Sequence, residues 1–420
     1  MEAISESYFK AFVGLDWADK KHDACIQRAG FSEREFACIP HRVDKIEEWA
    51  LSLYQRFGGP VAIIVELTRG PVVYALQKYD FIEIVPVNPS TLARYRKLLH
   101  PSGAKDDPSD AELALDLVLK HPERFQTLKA QGPQLRELQL LVEHRRQLVA
   151  DKVRLTNRLN AALKQYYPQC LDWFQRLDTV LFCSFLQRWP SLEKVQSADT
   201  KTLKKFFQEH RANRKEVQEQ RLRGIRSARP LTVDKPLISA YARKVQVLAE
   251  QLEVSLRAIK QYDTEIESLA VGHPDYELFE NLPGAGAALA PRLLVAFGEQ
   301  RDRFQSADEI QMYVGVAPVT ERSGQKKWVH WRTQCPRFLR QTFIEWASHS
   351  ICYSYWAEVY YRQQREKGKG HQAAVRSLAY KWIRVLYRCW QSNTAYDESR
   401  YLKALNRRGS TLISGVAQNT

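Results

Sequence analysis

Between Leu237 and Leu269, apolar residues recur at alternating spacings of three and four: Ile238, Tyr241, Val245, Leu248, Leu252, Ser255, Ile259, Tyr262, Ile266 and Leu269. Nine of these ten are apolar or aromatic, which commits the stretch to a coiled-coil helix that must find a partner. Gln134–Tyr166 carries a weaker version of the seam (Leu135, Leu138, Val142, Val149, Leu159, Leu163), interrupted by Arg145, Lys152 and Thr156. The two stretches fit an antiparallel arm or a pairing across protomers. Between them, about 168–236 reads as irregular. Its Lys201–Arg229 part holds ten Lys or Arg against three Glu, and with Phe206 and Phe207 alongside it reads as a polyanion contact.

The N-terminal region has a different rhythm. Phe12–Asp16 is a short apolar strand ending in an acid; a polar turn with Asp19, Lys20 and Lys21 follows, and Asp23–Arg28 and Arg34–Ile39 read as further strands. A helix is expected over Val43–Phe57, with Ile46, Trp49, Ala50 and Leu53 on one face. Val61–Glu66 is a continuous apolar run that again ends in an acid, as a strand buried on both faces would. Pro71–Lys78 (helix) and Ile82–Val87 (strand) complete an α/β sheet with an antiparallel start and a parallel remainder.

If the first and fourth strands are neighbours, Asp16 and Glu66 converge at the carboxyl edge of the sheet, where α/β folds place their ligands. A third acidic group, Lys105-Asp106-Asp107-Pro108-Ser109-Asp110-Ala111, opens a helix. Pro108 suits the first helical position, making Asp107 the cap and bringing Asp110 to the same side of the helix start. Asp106 replaces Asp107 if the register moves by one, and Asp19 and Asp23 rank lower. Carboxylates that converge repel one another unless cations intervene; two Mg²⁺ ions would neutralise them and activate the oxygens of a phosphodiester.

Charge points to the same class of substrate. The 420 residues include 63 Lys and Arg against 48 Asp and Glu, a net charge of +15, for which nucleic acid is the default partner. No apolar run approaches the ~20 residues of a membrane span, and no signal peptide opens the chain. The seven cysteines are scattered with no CxxC pair, arguing against zinc and for a reducing cytoplasm. No Gly-rich nucleotide loop of the P-loop type is present.

The ordered set Gly14-Leu15-Asp16, Val65-Glu66 and Lys105-Asp106-Asp107-Pro108-Ser109-Asp110-Ala111 resembles the DEDD transposases of bacterial insertion sequences. Leu282-Pro283-Gly284-Ala285-Gly286 is similar to that family's helix-hairpin-helix-type opening. Tyr313-Val314-Gly315-Val316-Ala317-Pro318, followed by Ser323-Gly324, is similar to its signature block. Two departures stand out: the family's usual Lys-Thr-Asp appears as Lys105-Asp106-Asp107, and a common Gly-Asn pair as Cys335-Pro336.

The resemblance implies a RuvC-like (RNase H fold) catalytic domain at 8–125, a coiled-coil arm with a basic insertion at 126–272, a mostly helical transposase domain at 273–395 and a tail at 396–420, polar and mobile from Asn406. It implies that Asp16, Glu66, Asp107 and Asp110 bind Mg²⁺ and that Ser323 attacks a DNA phosphate to form a transient phosphoserine link. Arg322, Lys326, Lys327, Arg337 and Arg340 are candidates to hold nucleic acid, and His330 is a weak candidate base. It further implies donor and target DNA, a structured bridge RNA that pairs with both, and a homo-oligomer held by the coiled coil. Two rivals stay open: a metal-dependent nuclease that uses water, and a scaffold with degenerate acids.

Overall fold

The computed structural model describes Ile4 and residues 7–66, 68–99 and 107–413; the side chains of Asp107, Pro108 and Ile413 lie outside the description. The chain divides into two compact units, Met1–Ala130 and Gln131–Thr420.

In the first unit, β1 (Ala11–Trp17), β2 (Lys21–Arg28), β3 (Arg34–Pro40), β4 (Val61–Val65) and β5 (Ile82–Pro86) form one sheet in the order β3-β2-β1-β4-β5. The turn between β1 and β2 is too short for anything but an antiparallel return, whereas α1 (Val43–Phe57) carries the chain over the sheet so that β4 runs parallel to β1. After α2 (Pro71–Leu76), β5 adds in parallel to β4. The antiparallel start and parallel remainder expected from the strand pattern are both present. β4 is buried at every position because helices cover both of its faces. Val13, Leu15, Ile63 and Ile84 pack under α1 and α2, while Phe12, Cys25, Ala62, Ile64 and Val85 pack under α3 (Pro89–Leu99) and α4 (Asp107–Lys120).

In the second unit, α5 (Pro133–Leu163) and α11 (Lys235–Val271) pair antiparallel, with Gln134 bonded to the Leu269 carbonyl at one end and Leu159 and Leu163 packed with Val245 and Leu248 at the other. The seam's partner is therefore in the same chain. The segment expected to be irregular is instead five short helices, α6 (Gln169–Trp173), α7 (Val180–Arg188), α8 (Leu192–Ser197), α9 (Thr200–Glu209) and α10 (Lys215–Ser227), packed on the far end of the arm. Phe206 and Phe207 are buried in that core and offer no stacking surface; Arg221 instead stacks on Phe207 and Phe174 from within. The aromatics beside the basic side chains thus belong to a small hydrophobic cluster rather than to a stacking surface.

The near end of the arm joins α12 (Glu277–Glu280), α13 (Gly286–Phe297), α14 (Ala307–Tyr313), the hairpin β6 (Val319–Ser323) and β7 (Lys326–His330), α15 (Arg337–Ser350), α16 (Tyr355–Glu366), α17 (His371–Gln391) and α18 (Glu398–Arg407). The tryptophans of this region are core rather than contact surface. Trp346, Trp356, Trp382 and Trp390 are fully buried, and each indole N–H donates to a partner: the Pro283 carbonyl, the Tyr396 hydroxyl, the Ser350 hydroxyl and the Gly298 carbonyl. Leu282–Gly286 is the expected turn before a helix; Gly284 has φ +73° and lies against the end of α15, where a Cβ would sit 2.8 Å from the His349 carbonyl carbon. The tail is not simply mobile: α18 is helical, and Leu405 and Leu412 are buried in this core. Among the described residues no helix is long and apolar enough to cross a membrane.

Candidate active site

The parallel ladder pairs Leu15 with Val65, so the next residues, Asp16 and Glu66, lie side by side at the carboxyl edge of the sheet. Alternation along each strand gives them the face of Phe12 and Gly14, and of Ala62 and Ile64, which is the face covered by α4. What brings α4 so close is Gly14. A Cβ there would stand 2.0 Å from the Ala111 carbonyl oxygen, so only glycine lets the helix rest directly on the strand. Asp110, the residue before Ala111, is thereby carried down onto this face. It is 5% exposed and has Arg96 Nη2 of α3 at 2.6 Å. The contact is an ion pair without hydrogen-bond alignment: Asp110 Oδ1 and Arg96 Nε are both buried and take no hydrogen bond.

Asp107 opens α4 one residue earlier than a cap would, and its side chain, like all of Asp106, lies outside the described residues. Among the described residues, no three His, Cys, Asp or Glu side chains are gathered tightly enough to hold a metal ion. The donors are nonetheless of the right kind for a hard divalent cation, being carboxylate oxygens, one of them buried and unbonded.

Two features of this edge go beyond the sequence reading, which ranks Asp23 low. Asp23 is directly opposite Asp16 in the β1–β2 register, is buried, and is held by Lys21 Nζ at 3.1 Å. The turn residues of the same hairpin are locked by a histidine pair. His22 Nδ1 accepts from the Ala18 N–H, which fixes the proton on Nε2, and Nε2 donates to His41 Nδ1 at 3.1 Å. Trp17 stacks flat on His22, with ring centroids 3.8 Å apart. Burial, reinforced by neighbouring His41 and only partly opposed by Asp23, pushes the His22 pKa down to about 4, so His22 is held neutral near the end of β1.

Ser323 belongs to the second unit. It is the last residue of β6, opposite Lys326, with Gly324-Gln325 as a two-residue turn. Gly324 has φ +58° and open space around it, the first central position of a tight hairpin turn that demands such a residue. Nearly every residue of the hairpin is exposed. Arg322 and Lys327 face each other one pair below the tip, and Arg322, Lys326 and Lys327 form no ion pair among the described residues. His330 pairs with Val319 at the opposite end, four residues or about 13 Å along the strand from Ser323's partner. It is tied to Glu321 at 3.3 Å, and so does not serve as a base for Ser323 within this hairpin.

The base of the hairpin is anchored. Arg332 Nε donates to the Ala317 carbonyl, Arg340 Nη1 donates to the Arg332 carbonyl, and the Trp331 ring lies under Arg376 (3.4 Å) and Arg340 (4.8 Å). Arg340 is thus engaged in bracing, while Arg337 is exposed. Gly315 of the signature block has φ +78°, and a Cβ there would overlap Cys335 Sγ at 2.2 Å. Cys335, which departs from the expected glycine, is therefore accommodated by Gly315.

The sequence matches two family models: a DEDD transposase model over residues 13–168, and the transposase IS116/IS110/IS902 family over residues 276–362. Together they span more than half of the chain; the first covers the acidic edge of the sheet and the second covers the hairpin that carries Ser323. The chain belongs to the IS110-type DEDD transposases. It is 27% identical over 406 residues to the mini-circle putative transposase for IS117 of Streptomyces coelicolor, covering 94% of this chain and 97% of that protein. It is 25% identical over 305 residues to the insertion element IS110 43.6 kDa protein of the same organism, covering 71% and 74%. It is 25% identical over 316 residues to the IS900 42 kDa protein of Mycobacterium paratuberculosis, covering 72% and 76%. As an IS110-type transposase it is a DNA-recombining enzyme, and DNA is its substrate.

Proposed function

We propose that this transposase cuts and rejoins DNA through Ser323, using divalent cations held by Asp16, Glu66, Asp107 and Asp110 in an RNase H-like, RuvC-type domain. The observation that carries the serine assignment is its presentation at the open tip of a solvated hairpin, beside cations that form no ion pair among the described residues. Nothing about that hairpin serves the core, and Arg322, Lys326 and Lys327 are suited to hold a phosphate there. In the reaction, a bond forms from Ser323 Oγ to phosphorus as one strand P–O bond breaks. The serine proton passes to water, and the departing strand oxygen takes up a proton. Attack by another strand's hydroxyl on the phosphoserine then restores the serine and rejoins DNA with no net change in bond type. Bound Mg²⁺ would supply neutralisation of the phosphate charge and a lower pKa for a coordinated oxygen nucleophile.

A bridge RNA and a homo-oligomer, dimer or tetramer, complete the proposal. The family resemblance supports the first, and the excess of 63 basic over 48 acidic residues is compatible with holding RNA as well as DNA; sequencing the nucleic acid that copurifies with the chain tests it, and light scattering tests the second. The nucleophile is tested by incubating end-labelled DNA with the full chain and Mg²⁺, then separating under denaturing conditions. A labelled protein band is expected from the parent and none from Ser323→Ala. Undiminished DNA hydrolysis by Ser323→Ala, with no adduct from either protein, would assign the chemistry to water instead.

A further inference from the structure

We propose that Trp328 is a positioning residue that stacks an unpaired DNA base beside the phosphate presented to Ser323. Trp328 lies on β7 directly opposite Glu321, and Ser323 lies opposite Lys326. Side chains two apart on a strand share a face, so Ser323, Lys326, Glu321 and Trp328 line the same side of the hairpin. Ser323 and Trp328 are diagonal neighbours on that side, with Cβ atoms about 7–8 Å apart. That span matches the reach from a backbone phosphate to a base of the same strand.

Folding gives no reason for a tryptophan here. The ring is 45% exposed and meets no other ring or cation among the described residues, in contrast to Trp331, which is clamped at the hairpin base by Arg340 and Arg376. A lone two-stranded hairpin is marginal in water, and this one is secured only at its base, so an apolar ring near the tip is a cost unless something covers it. Charge decides what covers it. Lys326 shares the face of the ring, Arg322 and Lys327 project from the other face of the same hairpin and Arg337 follows in the chain, none of them in an ion pair among the described residues, while the single acid on the face of the ring, Glu321, is occupied by His330. An anionic partner with a flat π-face fits both observations. In a paired duplex the base faces are hidden in the stack, so the occupant is an unpaired base.

The inference rests on the Ser323 reading for its purpose but is tested separately from it, by binding without divalent ions so that no strand is cut. The probes are a DNA duplex with a short internal stretch of unpaired bases, the fully paired duplex of equal length, and an RNA of the same unpaired form. The parent chain is expected to prefer the unpaired DNA over the paired by about five- to hundredfold. Trp328→Ala should abolish that preference while leaving the salt-dependent affinity for paired DNA intact, and Trp328→Phe should keep most of it. Ser323→Ala should keep all of it, so a missing covalent adduct bears on the nucleophile alone. Three results overturn the stacking role: a preference that survives Trp328→Ala, equal losses on paired and unpaired DNA, or a Trp328-dependent preference found only with RNA.

Discussion

The seating of α4 on β1 makes a stringent prediction at Gly14. In Gly14→Ala the new methyl would begin 2.0 Å from the Ala111 carbonyl oxygen and 3.0 Å from Leu115 Cβ. To bring the first contact even to 3.0 Å, strand and helix must separate by about 1 Å, and the obstructing atom is backbone that cannot rotate aside. β1 is bonded on both sides by β2 and β4, so the helix is the element that yields. Overpacking of this kind costs about 1–3 kcal/mol, and the rigid partner puts Gly14→Ala near the upper end. The functional cost is larger, because Asp110 moves with the helix and a 1 Å misplacement of a reacting constellation lowers rates about a hundredfold. Gly59→Ala is the control: its Cβ would meet the Lys10 side chain at 2.8 Å, a flexible group that can swing away. Hydrogen exchange by mass spectrometry should show faster exchange in α4 for Gly14→Ala alone, with urea unfolding of the first unit shifted by about 3 kcal/mol. Unchanged α4 protection and parent-like cleavage in Gly14→Ala would refute the proposed seating and with it the placement of Asp110.

Other expectations follow from the charged groups of the first unit. Arg96→Ala leaves Asp110 buried without its cation and should destabilise by about 3 kcal/mol; Mg²⁺ should raise the urea midpoint of Arg96→Ala more than that of the parent, and equal shifts would count against Asp110 as a ligand. His22 has a folded pKa of about 4 against an unfolded value near 6.5, so the stability it contributes is complete above about pH 6.5 and is lost as pH falls toward 4, by up to about 3 kcal/mol. Unfolding midpoints measured across that window should flatten in His22→Gln. Burial opposes the ionisation of Asp116, but hydrogen bonds from Lys120, Tyr95 and Arg34 outweigh it and hold the carboxyl at about 2; its contribution of about 2 kcal/mol is present above pH 4 and is lost as pH falls toward 2, a loss Asp116→Asn should not show.

How far such a site can be read from sequence depends on how local its determinants are. Asp16 and Glu66 were legible because each ends an apolar run of similar length, and a parallel pairing of those runs leaves no choice but to bring their ends together. Gly14 was visible as part of a motif, yet its purpose appears only once α4 lies over it, since no local rule says which helix will return to that strand. Asp23 ranks low in the sequence for the same reason: its place opposite Asp16 is set by the length of one turn, and shifting that register by a single residue would move Asp23 to the other face. Phe206 and Phe207, beside a run of lysines, were misread because charge pattern speaks for the exposed face of a helix and says nothing of the face it buries. The hairpin that carries Ser323 did have a signal, Gly324-Gln325 between two β-compatible runs, but with no apolar alternation to mark an inner face it reads as a polar turn. That missing alternation is itself informative. A strand pair with no buried side has its sequence chosen by what it touches rather than by the core, so the residues least predictable from folding rules, Arg322, Ser323, Lys326, Lys327 and Trp328, are the ones on which the chemistry of this transposase is proposed to rest.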